Sequence, residues 1–215
     1  MDRSSVSVVV GCIPLAICAP NLSATVVLDG SFEAANVITG SYVYNPSDTP
    51  WTFLSYSGVL DGSGGAWGAP PPVDGSQAAW LQYYHGNAGV IQQAVSFPTA
   101  GQYELRYWEA GRPSSGHSGE LTYEVRLDSV TIATSSTYSA QPYLLRTFTF
   151  SADAGPHVLS FAAAAHPNTD DSAFLDDISI TLVPEPASLL LLAAGGLVIL
   201  RRRIPARPSA CCAWG

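Results

Sequence analysis

Gly101-Gln102-Tyr103-Glu104-Leu105-Arg106-Tyr107-Trp108-Glu109 is the stretch that decides the fold. Tyr103, Leu105 and Tyr107 alternate with Gln102, Glu104, Arg106 and Trp108. A period of two puts the first set on one face of a strand and the second set on the other. Leu121 to Leu127 repeats the pattern, with Tyr123, Val125 and Leu127 inward and Glu124 and Arg126 outward. If the two strands are neighbours, Glu104, Arg106, Glu124 and Arg126 pair across a solvent face.

Outward from there, helical periodicity is nearly absent. Short β-branched and aromatic segments recur between Gly, Pro, Asn and Asp. The expected strands are 24–28, 51–56, 77–83, 89–97, 101–109, 121–128, 130–135, 144–151, 157–163 and 173–183. Phe148, Phe150, Leu159 and Phe161 continue the core pattern, and Asp153-Ala154-Gly155-Pro156 reads as a hairpin turn. Trp51 and Trp80 sit among apolar neighbours and read as core. Many short strands with regular turns indicate an all-β antiparallel sandwich or jelly roll. Residues 57–76 and 110–119 read as long irregular loops, the usual place for binding residues on such a scaffold.

The two ends differ in kind from this body. Met1-Asp2-Arg3 leads into the apolar run Val6 to Ala19 and small residues at Ser23-Ala24, a secretory signal peptide over 1–24. At the other end, Val183-Pro184-Glu185-Pro186 precedes the uncharged run Ala187 to Leu200, and Arg201-Arg202-Arg203 stops it. That run is shorter than the roughly 20 apolar residues a membrane span wants. It therefore suits a transient helical anchor, with the arginines on the cytoplasmic side. The expected organisation is 1–24 signal peptide, 25–183 sandwich, 184–203 membrane segment, and 204–215 a cytoplasmic or disordered extension. A buried C-terminal helix of a soluble domain is the rival reading of the tail.

Charged residues make up 12% of the chain, the formal net charge is -8, and there is no lysine. An acidic body without basic patches argues against nucleic acid. The four cysteines, Cys12, Cys18, Cys211 and Cys212, all lie in the end segments, so the body uses neither disulfides nor thiolate metal sites.

The Val183-to-Arg203 pattern resembles the PEP-CTERM sorting signal of Gram-negative bacteria. The resemblance implies export, transient inner-membrane anchoring and handling by an exosortase-type processing enzyme. It also implies a destination at the cell surface or in an extracellular polysaccharide matrix or biofilm. The continuation past the arginines, Ile204 to Gly215, departs from that family's usual ending. The body carries Leu28-Asp29-Gly30-Ser31-Phe32-Glu33, Asp74-Gly75-Ser76-Gln77-Ala78-Ala79, Gly101-Gln102-Tyr103 and Ala173-Phe174-Leu175-Asp176-Asp177-Ile178-Ser179-Ile180. In that order these resemble carbohydrate-binding modules of the galactose-binding-domain-like jelly roll. The resemblance implies first and last strands side by side. It also implies a structural Ca²⁺ held by Glu33 and Asp176, with Asp177 a further candidate; the alternative is that Asp176 and Asp177 simply alternate at a strand end.

Sugar binding needs flat aromatic faces for the C–H surface of a pyranose and a few polar groups for its hydroxyls. The candidates are Trp67, Tyr84, Trp108 and Tyr138, with His85, Asn87 and Arg112 as partners, and Trp108 with Arg112 is the favoured pair. Tyr83 and Tyr84 must split, one inward and one outward. No nucleophile elbow, metal-ligand histidine spacing or phosphate loop is present in the sequence. The expectation is a non-catalytic protein that binds extracellular polysaccharide; the alternative is a structural or adhesive matrix protein without a sugar site.

Overall fold

The computed structural model describes residues 26–62, 66–113, 120–164 and 170–184. The signal peptide, the sorting segment from Glu185 through Arg201, Arg202 and Arg203, the C-terminal apolar helix and the 204–215 extension lie outside the described residues.

Twelve strands run among the described residues, in chain order β1 (Tyr42–Tyr44), β2 (Thr52–Leu54), β3 (Ser57–Asp61), β4 (Gln77–Tyr84), β5 (Asn87–Ala88), β6 (Val90–Phe97), β7 (Gly101–Gly111), β8 (Leu121–Leu127), β9 (Val130–Thr137), β10 (Leu144–Ala152), β11 (Gly155–Ala163) and β12 (Ser172–Leu182). They form two antiparallel sheets. One has the order β1-β3-β4-β12-β7-β10 with β5 paired to β4, and the other the order β2-β6-β11-β8-β9. This is the expected all-β sandwich.

The core between the sheets is built by alternation. Tyr103, Leu105 and Tyr107 of β7 face Tyr123, Val125 and Leu127 of β8 with Leu159 and Phe161 of β11, all buried. Trp51 and Trp80 are 2% and 0% exposed. β4 and the first half of β12 are buried on both faces, because a second small cluster of Leu60, Ala66, Ala69, Ala78, Trp80, Ala110 and Phe174 covers their outer side. That double burial is why both read as near-continuous apolar runs instead of alternating.

Several expectations need correction. Residues 57–76 are not one loop: Ser57–Asp61 is β3, paired to β4 from Ser57↔Leu81 to Asp61↔Gln77. Gly58 in a polar-flanked segment hides the strand signal. Asp153-Ala154-Gly155-Pro156 is no hairpin; it carries the chain from β10 in one sheet to β11 in the other. β7 and β8 also lie in different sheets, so Glu104 and Arg106 do not meet Glu124 and Arg126. Arg126 instead pairs with Glu124 on its own strand, at 2.7 Å. Ala110 and Gly111 extend β7 into the second expected loop, and 114–119 lie outside the described residues.

Residues 26–30 form no strand, yet they run beside β12. Val26 N–H donates to the Ile180 carbonyl at 3.3 Å and Ile178 N–H donates to the Gly30 carbonyl at 2.9 Å. A β-carbon on Gly30 would lie 2.1 Å from the Ile178 carbonyl oxygen, so this close approach demands glycine. The contact falls where β12 shifts register between Asp176 and Ser179. Phe32 is buried against Trp51, ring centroids 5.2 Å apart, and the Trp51 indole N–H donates to the Asp29 carbonyl at 2.8 Å. The Leu28-to-Glu33 motif is thus a structural clasp of the sandwich.

Candidate functional site

Two arrangements at one end of the larger sheet draw the candidate residues together. The first is aromatic. In register across the outer face, Tyr44 lies opposite Gly58, Gly58 opposite Trp80, Trp80 opposite Phe174, and Phe174 opposite Ala110. One row along, Tyr42 lies opposite Leu60. Because Gly58 has no side chain, Tyr44 reaches over it and meets the Trp80 ring edge-on at 4.6 Å. Trp67, on a 3-10 turn at Ala66–Gly68, covers the same row, 4.7 Å from Trp80 and 4.4 Å from Tyr42. Its backbone is left-handed, φ 53°, which is costly for a bulky residue and is held by these contacts. Tyr42 and Tyr44 are 42% and 45% exposed. The outcome is an open aromatic face with a floor of Trp80.

Charge completes it. The Arg112 guanidinium sits over Trp67, 4.9 Å from the ring centroid. It also donates to the Asp170 carbonyl at 3.1 Å and carboxylate at 3.2 Å. Gln82 donates to the same carboxylate. Burial, first, and then the neighbouring Tyr42, Asp170 and Tyr56 hold the Tyr44 phenol above its ordinary range, with Arg112 acting in the opposite sense. Tyr42, Tyr44, Trp67, Arg112, Asp170 and Gln82 therefore make one neighbourhood.

Of the sequence candidates, Trp67 and Arg112 meet here. Trp108 lies on the same outer face, in register with Asp176 and Leu145, and Arg112 turns to Trp67 and Asp170. Tyr84 and His85 form a separate corner with Tyr56, at 4.0 Å between Tyr84 and His85 and 5.4 Å between Tyr84 and Tyr56. His85 and Gly86 both have positive φ, the signature of a two-residue hairpin turn between β4 and β5, and Asn87 closes it by donating to the His85 carbonyl. Tyr83 packs on the main core, so the two tyrosines split as expected. Tyr138 is 55% exposed beyond β9. Sequence reasoning missed Tyr42, Tyr44, Asp170 and Gln82. Tyr42-Val43-Tyr44 between Gly40 and Asn45-Pro46 carries the period-two signal that marks the first two; Asp170 has none.

The second arrangement is a carboxylate latch. Asp176 is fully buried, and its Oδ2 accepts the Val73 and Asp74 N–H groups at 2.6 and 3.0 Å, while Oδ1 accepts Asp177 N–H at 2.7 Å. Glu33 Oε1 accepts the Ser76 and Gln77 N–H groups at 2.7 and 2.6 Å, and Oε2 the Ser76 hydroxyl at 3.1 Å. The two acids thus clamp residues 73–77 from both sides. Asp177 is exposed and has positive φ at the register shift. As a cation set, Glu33 and Asp176 each keep one oxygen with a single N–H or O–H donor, which leaves it coordinating capacity. Among the described residues no group of three His, Cys, Asp or Glu stands close enough to hold a metal ion.

Burial pushes the Asp176 carboxyl up to about 6, against the pull of the Asp74, Val73 and Asp177 amides; the Asp177 charge adds to the rise. The folded protein then holds that proton more tightly than the unfolded chain. This contribution to stability is complete below the ordinary carboxylate value and is lost as pH rises through about 6. Thermal melts between pH 4 and 7 are expected to show a smaller loss of stability with rising pH in Asp176→Asn than in the native chain; parallel curves would contradict this.

Residues 182–204 match the PEP-CTERM protein-sorting motif. The motif indicates an exported protein sorted to the cell envelope or surface. Among the described residues no helix is long and apolar enough to cross a membrane, and the run Ala187 to Leu200 lies outside them. Among characterised proteins none matches the sequence. The body superposes on the CBM22-1 xylan-binding domain of Paenibacillus barcinonensis Xyn10C with a TM-score of 0.50 at 14% identity, covering 78% of this chain and 100% of that one. TmCBM61, solved with beta-1,4-galactotriose, gives 0.47 at 15% identity over 75% of this chain and 100% of that one. The K2 cleaved adhesin domain of Lys-gingipain gives 0.48 at 13% identity over 72% and 97%. At these identities the likeness concerns the fold alone. The chain carries a PEP-CTERM protein-sorting motif behind a body with the jelly-roll fold of carbohydrate-binding modules.

Proposed function

We propose that this chain is an exported, non-catalytic protein that binds extracellular polysaccharide through the Tyr42, Tyr44 and Trp67 face. The observation that carries the reading is Trp67 set between exposed Tyr42 and the Arg112 guanidinium. Aromatic faces take the C–H surface of a pyranose, and Arg112 and Asp170 supply a donor and an acceptor for its hydroxyls, with buried Gln82 holding Asp170 in place. The face is open, which suits a polymer better than a small molecule enclosed on all sides. An exosortase-type enzyme of a Gram-negative bacterium releases the protein from its membrane segment and delivers it to the surface or matrix. Trp108, on the same outer face, lengthens the path of a bound chain, and Tyr84 and His85, in their separate corner, offer a secondary contact.

Affinity electrophoresis of the protein in gels carrying soluble xylan, galactan or host exopolysaccharide is expected to retard it in at least one. Unretarded migration in all, with self-assembly that rises with protein concentration, would favour a matrix protein without a sugar site.

Glu33 and Asp176, with Asp177 a further candidate, are proposed to take Ca²⁺ together with backbone carbonyls and water, since the three acids do not by themselves form a close group; the ion would relieve the buried Asp176 charge and strengthen the latch. The melting temperature is then expected to fall with chelator; equal melting with and without chelator ends this part of the reading.

A further inference from the structure

The sorting motif starts inside the folded sheet. Its matched region begins at residue 182, and Leu182 is the last residue of β12. β12 lies between β4 and β7. Leu182 is in register with Tyr103, and Val183 N–H donates to the Gln102 carbonyl at 2.8 Å. Val183 and Pro184 also form one wall of a groove of about 960 Å³ at this end of the sandwich. Its other walls are Thr99 to Gln102, before and within β7, and Ser151 to Asp153, at the end of β10.

Consecutive α-carbons are about 3.8 Å apart. A protein that grips Glu185 and Pro186 therefore lies against these walls, unless it first peels the end of β12 out of the sheet. Peeling would break the Val183 bond and expose Leu182, which packs on the main core. We infer that the groove walls, Thr99 to Gln102 and Ser151 to Asp153, are the docking surface for the enzyme that processes the tail. That enzyme reads the motif together with the folded domain, not as a free peptide. The inference rests on the tail being processed.

The same geometry sets the orientation of the sugar site. β7 runs from the groove at Gly101 to Gly111, next to Arg112. At about 3.3 Å per residue this separates the groove from Arg112 by about 30 Å. During processing the aromatic face lies at the end of the sandwich far from the membrane.

The test expresses the full chain in a host with the matching enzyme and measures the processed fraction by intact mass. Ala100→Trp and Gln102→Arg place bulk on exposed groove positions, Thr134→Arg marks the distant β9 surface, and a fourth variant carries a six-residue Gly/Ser insertion between Val183 and Pro184. Melting curves identify folded variants, and Gln102→Arg keeps the test alive if Ala100→Trp does not fold. The groove variants and the insertion are expected to lower the processed fraction about tenfold, and Thr134→Arg to leave it unchanged. Folded groove variants processed like the native chain would overturn the inference, as would an insertion that raises processing. A native chain that keeps its tail would overturn both this inference and the reading of the tail.

Discussion

Arg146→Ala is expected to lower the unfolding free energy by about 3–5 kcal/mol, measured by urea denaturation at neutral pH. The reason lies in Glu109, an acid on the inward set of β7 with no exposed surface. Its Oε1 accepts Arg146 Nε and Nη2 at 2.8 and 2.5 Å and Gln141 Nε2 at 3.2 Å. Its Oε2 accepts the Ser135 hydroxyl at 2.7 Å and the Tyr123 hydroxyl. Without Arg146 a carboxylate remains between the sheets with only neutral partners. Glu109→Gln is expected to cost less, because the Arg146 side chain is 34% exposed and water can solvate what it loses. Combining Glu109→Gln with Arg146→Met is expected to be milder than Arg146→Ala alone, since neither half of the pair is left stranded. Equal stability of Arg146→Ala and the native chain would mean that the buried charge is stabilised by the neutral donors alone.

Trp80→Ala is expected to cost about 3–5 kcal/mol as well, and to abolish polysaccharide retention along with stability. Trp80 is the floor on which Tyr44 and Trp67 rest. Its removal opens a cavity beneath both rings and beside Phe174. Trp80→Phe keeps a ring and removes an indole N–H that has no hydrogen-bond partner among the described residues, so its cost is expected to stay below about 1.5 kcal/mol. Comparable losses for alanine and phenylalanine would place the importance of Trp80 in its N–H and not in its volume.

The strands legible in the sequence are those with one buried face. β7 and β8 alternate cleanly because solvent lies on one side and core on the other. β4 and β12 were legible as apolar runs, but their second buried face was not. The cover on that face comes from Ala66 and Ala69, small residues with no hydrophobic signal of their own. β3 escaped because Gly58 interrupts it, and that same glycine lets Tyr44 reach Trp80. The turn at Asp153 read as a hairpin because local turn chemistry does not say which sheet the chain enters next.

The site was half legible for a related reason. Trp67 and Arg112 are residue types suited to sugars, so composition marks them. Their pairing depends on loop 66–70 folding over β4, which spacing along β7 cannot reveal; Trp108, nearer to Arg112 in sequence, carries the stronger sequence signal. Asp170 joins them from just before β12, the strand between β4 and β7, through sheet register alone. The resemblance pairs Glu33 and Asp176 as Ca²⁺ ligands and does not signal what their oxygens hold in this structure, the backbone N–H groups of residues 73–77.

The most direct measurement is titration calorimetry of the native protein, Trp67→Ala and Trp108→Ala with whichever polysaccharide retards the native chain. An aromatic contact at the centre of a site is worth about 2 kcal/mol or more. Trp67→Ala is therefore expected to weaken binding about thirtyfold or more while its melting curve stays cooperative, with a smaller change for Trp108→Ala. Unchanged binding in Trp67→Ala, or a loss confined to Trp108→Ala, would contradict the assignment of the Tyr42, Tyr44 and Trp67 face as the sugar site.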